Sequence, residues 1–189
     1  MMTVTQLLEK YRSINIDYDW WEFAYETFRE DMKEVGIDVQ DIYFSGFCSQ
    51  GDGACFEGGI DDTTLFLNKH FKPTEYPMLR KLLYNGGDIS FRVRHKGHYY
   101  HSNSTDFHMD IDGFIHTLNA PTDLHTQILE VWDTLLDTEA EDFRTEAVGI
   151  FRTYMDALYK QLGEEHDYLT SDKAVWETIV VNKFYEEKA

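Results

Sequence analysis

Hydrophobic spacing switches back and forth between helical and strand periods along these 189 residues, and that alternation restricts the fold more than any single side chain does. Between positions 17 and 35, Trp20, Trp21, Phe23, Ala24, Phe28, Met32 and Val35 recur at i, i+3 and i+4 intervals. That period belongs to an amphipathic helix. Asp17 or Asp19 is placed to cap its start, and Gly36 stands where a left-handed residue would end it. A short helix is expected before it, around residues 4–11.

After Gly36 the period falls to two. IDVQDIYFSGFCSQGDGACFEGGI reads as two strands joined by a tight turn centred on Gly51-Asp52. That turn would set Cys48 opposite Cys55, Phe47 opposite Phe56 and Tyr43 opposite Ile60. Glycines 46, 58 and 59 point to close backbone approach or a bulge. A helical stretch at 76–84 stops at Asn85-Gly86-Gly87. In DISFRVRH, Ile89, Phe91 and Val93 alternate with Ser90, Arg92 and Arg94. A turn near Lys96-Gly97 would lead into HYYHSN as a further strand. In DFHMDID, Phe107, Met109 and Ile111 face one way, and Asp106, His108, Asp110 and Asp112 the other. Such an acidic strip guards a sheet edge against pairing with other chains.

From Pro121 the helical period returns. Thr122 caps a helix with Leu124, Ile128, Val131, Leu135 and Leu136 inward, and Asp123, Glu130, Asp133 and Asp137 outward. A second helix over 141–162 would bury Phe143, Ala147, Ile150, Phe151, Tyr154, Leu158 and Leu162. A third, from Ser171, would turn Val175, Trp176, Ile179, Val180 and Phe184 inward. Repeats, low-complexity tracts and Pro-rich linkers are missing, which favours a single domain over 1–189. The expected class is α+β: a central antiparallel sheet with an N-terminal helix and a C-terminal group of acidic helices.

Composition narrows the function classes. With 35 acidic against 17 basic residues the formal net charge is −18. An apolar fraction of 42% and 29 aromatic residues exclude a disordered acidic tail. So negative a chain repels nucleic acid and anionic lipid, so neither is expected as a direct partner. No run approaches a membrane-spanning length, and the opening MMTVTQLLEKYRSINIDYDWW has no basic stretch followed by an apolar one. A cytoplasmic location is expected. The charge also falls in blocks: −10 over residues 1–68, +5 over 69–103 and −13 over 104–172. The basic island is Lys69, Lys72, Arg80, Lys81, Arg92, Arg94 and Lys96. Either it neutralises its own neighbours or it marks a partner surface.

No complete catalytic constellation emerges. The two cysteines would face each other across the hairpin, but in a reducing compartment they are expected to be small buried apolar side chains. Two cysteines do not make a structural zinc site. Around Ser49 the glycines sit at −3 and +2, which is not the spacing of a nucleophile elbow. The Gly-rich turn lacks the lysine and following helix of a phosphate loop. His95, His98, His101, His108 and His116 cluster in sequence, yet only residues of like parity share a strand face, so surface histidines are the expectation. HMDIDGFIHTLN matches a calcium loop at Asp110, Asp112, Gly113 and Ile115, but has His108 first and Asn119 last where carboxylates belong. A β-turn at Asp112-Gly113 accounts for it better. No metal and no cofactor is assigned.

DIYFSGFCSQGDGACFEG, preceded by Asp19-Trp20-Trp21, resembles the signature of a family of small acidic proteins encoded by bacteriophages and prophages, with the motif FSGFxSQGDGAxFxG and no assigned function. The likeness covers roughly residues 14–60. It implies a phage accessory gene acting in the cytoplasm of a bacterial host. Together with the acidic blocks it leads to an expected function: an inhibitor that binds a host nucleic-acid-binding or defence protein, of restriction or CRISPR effector type. Carboxylates along a helix can imitate duplex phosphates, so the expected contact residues are Asp123, Glu130, Asp133, Asp137, Glu139, Glu141, Asp142 and Glu146. Ser49, Gln50 and Asp52 form a second patch, and a homodimer is left open. The alternative is a small-molecule-binding or metal-dependent enzyme built on the 45–58 hairpin and the 95–108 histidines.

Overall fold

The computed structural model describes residues 2–112 and 122–186, without the side chains of 122–132 and 186. The α+β expectation holds: four antiparallel strands in the order β1-β2-β3-β4, with helices before and after them. In chain order these are α1 (Val4–Lys10), α2 (Glu22–Lys33), β1 (Ile37–Phe44), β2 (Ala54–Ile60), α3 (Thr63–His70), α4 (Pro77–Tyr84), β3 (Asp88–His95), β4 (Thr105–Asp112), α5 (Thr122–Leu169) and α6 (Asp172–Val181). A final 3-10 turn covers Phe184–Glu186. Among the described residues no helix is long and apolar enough to cross a membrane.

The chain forms two compact units, Met1–Phe28 with Ala157–Ala189, and Arg29–Asp156. In the first, Leu7, Val175 and Ile179 form a small core that Tyr11, Trp176 and Phe184 help to cover. Polar clamps fix its segments: the Arg12 guanidinium donates to the Thr170 carbonyl (3.0 Å) and pairs with Asp172. Asn15 donates to the Leu169 carbonyl (3.0 Å) and accepts from the Thr178 hydroxyl (2.8 Å). Ser171 caps α6 by accepting from the Ala174 amide, and Val180 is left 43% exposed rather than turned inward.

In the second unit the core is aromatic. Phe56, Phe66, Phe91, Phe143 and Phe151 are fully buried, and Phe91 meets Phe151 at 5.1 Å between ring centres. Ile89, Phe91 and Val93 face this core, as the alternation predicted. Gly36 ends α2 at φ +82, where a Cβ would stand 2.5 Å from the Asp62 carbonyl oxygen.

The hairpin differs from expectation. Its rungs are Tyr43↔Cys55, Ile42↔Phe56 and Ile37↔Ile60, with a bulge between Val39 and Asp41. The strands stop at Phe44 and Ala54 because Asp52 closes the intervening segment as a loop. Its Oδ2 accepts from the amides of Cys48 (2.9 Å) and Ser49 (2.6 Å). Cys48 is therefore exposed in the loop, while Cys55 alone is buried. Opposite the bulge, Gly58 sits at φ +154, where a Cβ would fall 2.0 Å from the Asp38 carbonyl oxygen.

Four further expectations change. HYYHSN is not a strand; β4 begins only at Thr105. Helix α2 starts at Glu22, later than the apolar spacing suggested. The two helices expected on either side of residues 138–140 are one, α5, since Thr138, Glu139 and Ala140 contain no breaker and Ala140 is buried. Leu135, expected inward, is 50% exposed. The side chains of Leu124, Ile128 and Val131 lie outside the described residues, and so does the whole of the turn residue Gly113.

Candidate functional site

The acidic contact residues expected on α5 separate into two sets. Asp133, Asp137 and Glu141 recur every four residues and are exposed, so they share one side of the helix, about 6 Å of rise apart. Glu139 and Glu146 have tasks inside the protein. Helix α4 begins after Tyr76, which is held at φ 56 and gives no side-chain cap. Glu139 supplies one from outside: its Oε2 accepts from the amides of Met78 (2.8 Å) and Leu79 (3.2 Å). The carboxylate both satisfies orphan N–H groups and sits at the positive end of the helix dipole. Glu146 bonds the Tyr76 hydroxyl; burial above all, then Glu146, pushes that phenol upward in pKa, and Asp142 adds to the effect. The side chains of Asp123 and Glu130 lie outside the described residues.

The second patch is the loop between β1 and β2. Ser49 and Gln50 are exposed there, while Asp52 is spent on closing the loop. Two glycines let another loop approach. A Cβ on Gly51 would touch the Tyr99 ring at 2.5 Å, and one on Gly53 would meet the His101 Cα at 2.5 Å. The structure thus brings the Gly-rich motif against residues 99–101. Tyr43 stacks on Tyr100 (5.6 Å), and His95 sits 5.2 Å from Tyr43 and 5.0 Å from Tyr100. Burial, with Glu57 second, holds the Cys55 thiol up at about 12. A thiol so placed is protonated at neutral pH and a poor nucleophile.

Among the described residues the histidines do not converge; His116 lies outside them. His95 Nε2 contacts the Tyr99 carbonyl (3.1 Å), His101 lies beside the Ser104 hydroxyl (3.3 Å), and His108 pairs with Asp110 (2.9 Å). Among the described residues no three His, Cys, Asp or Glu side chains gather as a metal site requires.

One grouping was not foreseen. Strands β3 and β4 pair with Arg92 opposite His108 and Arg94 opposite Asp106. A cleft of about 810 Å³ runs along the edge strand β4, lined by these residues on its outer face and, from α5, by Arg144 and Arg152. Four of the chain's seven arginines line it. Arg152 leans over the Phe107 ring (5.8 Å), and its Nε is buried without a hydrogen-bond partner. Leaving a buried donor unsatisfied costs roughly 1–3 kcal/mol. The basic island is accordingly divided: Lys96 pairs with Asp106 (2.8 Å) and Arg80 holds the Leu67 and Glu75 carbonyls, while Arg92 and Arg94 serve the cleft. Arg144 and Arg152 lie in the most acidic block, and eight residues apart they fall near one side of α5, the only hint the sequence offers.

No curated protein and no solved structure matches the chain. A family model described as a domain of unknown function matches most of it, from Trp20 through the sheet and all of α5 to the first residue of α6. The chain belongs to this family, the domain of unknown function DUF8835, over residues 20–172.

Proposed function

We propose that this is an accessory binding protein of the kind carried by bacteriophages and prophages. It would dock on the nucleic-acid-binding surface of a host protein, of restriction or CRISPR effector type, and block it. The observation that supports this most is the solvent side of α5, where Asp133, Asp137 and Glu141 stand exposed at four-residue intervals. Three carboxylates within about 12 Å of helix make a line of anions, of which Glu141 also pairs with Arg144 (3.2 Å). Duplex phosphates recur about every 3.4 Å per strand, so the imitation is sparse and suits a short row of lysines or arginines. The bulk charge of −18 steers the encounter with a basic partner and keeps free nucleic acid away.

The test is capture of a basic protein from bacterial lysate, followed by affinity measurements with the purified partner. Reversal of Asp133, Asp137 and Glu141 to lysine should abolish binding, and rising salt should weaken the wild-type complex steeply. Unchanged affinity in the triple variant would sink the proposal.

A second reading draws on the meeting of the 45–53 loop with residues 99–101, which places the two segments of the alternative enzyme or small-molecule site side by side. Stoichiometric zinc or manganese in the purified protein, lost in His95→Ala or His101→Ala, would favour it.

A further inference from the structure

We propose that the cleft along β4 is a binding site for a small molecule carrying two or more phosphate groups. The proposal uses residues other than the acidic ones of α5 and meets them only where Arg144 pairs with Glu141.

The chemistry of the lining comes first. Arginines elsewhere are occupied: Arg12 with Thr170 and Asp172, Arg29 with the Gln40 carbonyl, Arg80 with Asn68 and three carbonyls. In the cleft, Arg92 and Arg94 have no hydrogen-bond or ion-pair partner among the described residues. Arg144 spends one amine on Glu141 (3.2 Å), and the buried Nε of Arg152 has no acceptor. The lining carboxylate, Asp106, is already paired with Lys96. Arg92 and Arg94 stand on the sheet face of Asp106 and His108, and Arg144 and Arg152 on the α5 side, so the cleft passes round the edge strand β4. Unspent guanidinium donors on both sides of that edge match phosphate oxygens, which they bind in bidentate fashion.

Spacing then sets the number of anionic groups. Arg92 and Arg94 are two strand residues, about 6.6 Å, apart. Arg144 and Arg152 are eight helical residues, about 12 Å, apart. One phosphate cannot engage all four, whereas a chain of phosphates that passes round the edge of β4 can. The volume of about 810 Å³ falls in the range of small-molecule sites, which run from about 300 to 1,000 Å³. Gly149 keeps the helical wall low: a Cβ there would meet nothing within 4 Å. The negative net charge does not cancel the local field, because charges beyond a screening length of about 8 Å count for little at physiological salt.

The experiment is calorimetric titration of the full chain with tripolyphosphate, ATP and inorganic phosphate at physiological ionic strength without magnesium. Tripolyphosphate or ATP should bind saturably, one per chain, at least about tenfold tighter than inorganic phosphate. Equal affinities for the first two assign the phosphate chain as the recognised element; tighter ATP assigns a nucleotide. R92Q/R94Q changes only exposed side chains, and G149L fills the cleft while improving helix propensity; each should weaken binding at least about tenfold with the thermal midpoint preserved. K69Q, exposed and outside the cleft, should bind as wild type does. The proposal is overturned if none of the three probes saturates. Equal binding of inorganic phosphate, or affinity unchanged in both cleft variants, overturns it as well.

Discussion

Removing the Glu139 carboxylate should loosen α4 by an amount that its geometry fixes. Two amides, those of Met78 and Leu79, donate to a single oxygen, and Tyr76 offers no cap of its own. Loss of a helix cap typically costs about 0.5–2 kcal/mol. The missing negative charge at the dipole's positive end adds about 0.3–1 kcal/mol. Glu139→Ala should therefore lower stability by about 2 kcal/mol. For a chain of this length about 2–4 °C accompanies each kcal/mol, so the thermal midpoint should fall by about 4–8 °C. Glu139→Gln keeps an acceptor but not the charge and should lose less than half as much. Thermal and urea unfolding followed by far-UV circular dichroism measures both. An alanine variant within about 0.3 kcal/mol of wild type would refute the cap. A glutamine variant as damaged as alanine would refute the hydrogen-bonded part of it.

Burial holds the His70 imidazole below its ordinary pKa, with Phe66, Phe71 and Tyr154 around the ring. The unfolded chain takes up a proton below about pH 6.5 that the folded protein refuses, so stability should fall as pH drops through that value and until the folded-state pKa is reached. Urea titrations at pH 7 and 5.5 should show a smaller fall in His70→Phe than in wild type. Under native conditions near pH 8 a thiol reagent should modify Cys48 alone, with Cys55 reacting only after denaturation; two fast thiols would contradict its burial and raised pKa. Gly58→Ala should destabilise by more than the roughly 1 kcal/mol median for point changes, because both its φ and the Asp38 carbonyl oppose a side chain. A denaturant midpoint equal to wild type would count against the bulge geometry.

Periodicity made the strands and most helices legible, since Ile89, Phe91 and Val93 declare a buried face without help from the rest of the chain. Register was not legible, because it depends on one carboxylate: Asp52 folds 45–53 into a loop that a Gly-Asp pair does not announce. Helix α3 was missed although Asp62 caps it by accepting from the Leu65 amide (2.8 Å), since its apolar residues Leu65, Phe66 and Leu67 are consecutive and show no helical spacing. The acidic residues of α5 look alike in sequence. Only the approach of α4 and Tyr76 separates Glu139 and Glu146, which are engaged, from Asp133 and Asp137, which face solvent. The arginine cleft joins β3 to residues about fifty positions later, a proximity set by the packing of Phe91 and Phe107 on Phe151.

The proposed docking reduces to a competition. A fluorescent duplex bound to the captured partner should be displaced by the wild-type protein in proportion to its concentration. The variant with Asp133, Asp137 and Glu141 reversed to lysine should leave the duplex in place. A stable ternary complex of partner, duplex and wild-type protein would show that the acidic side of α5 does not occupy the nucleic-acid surface, and would contradict the proposal.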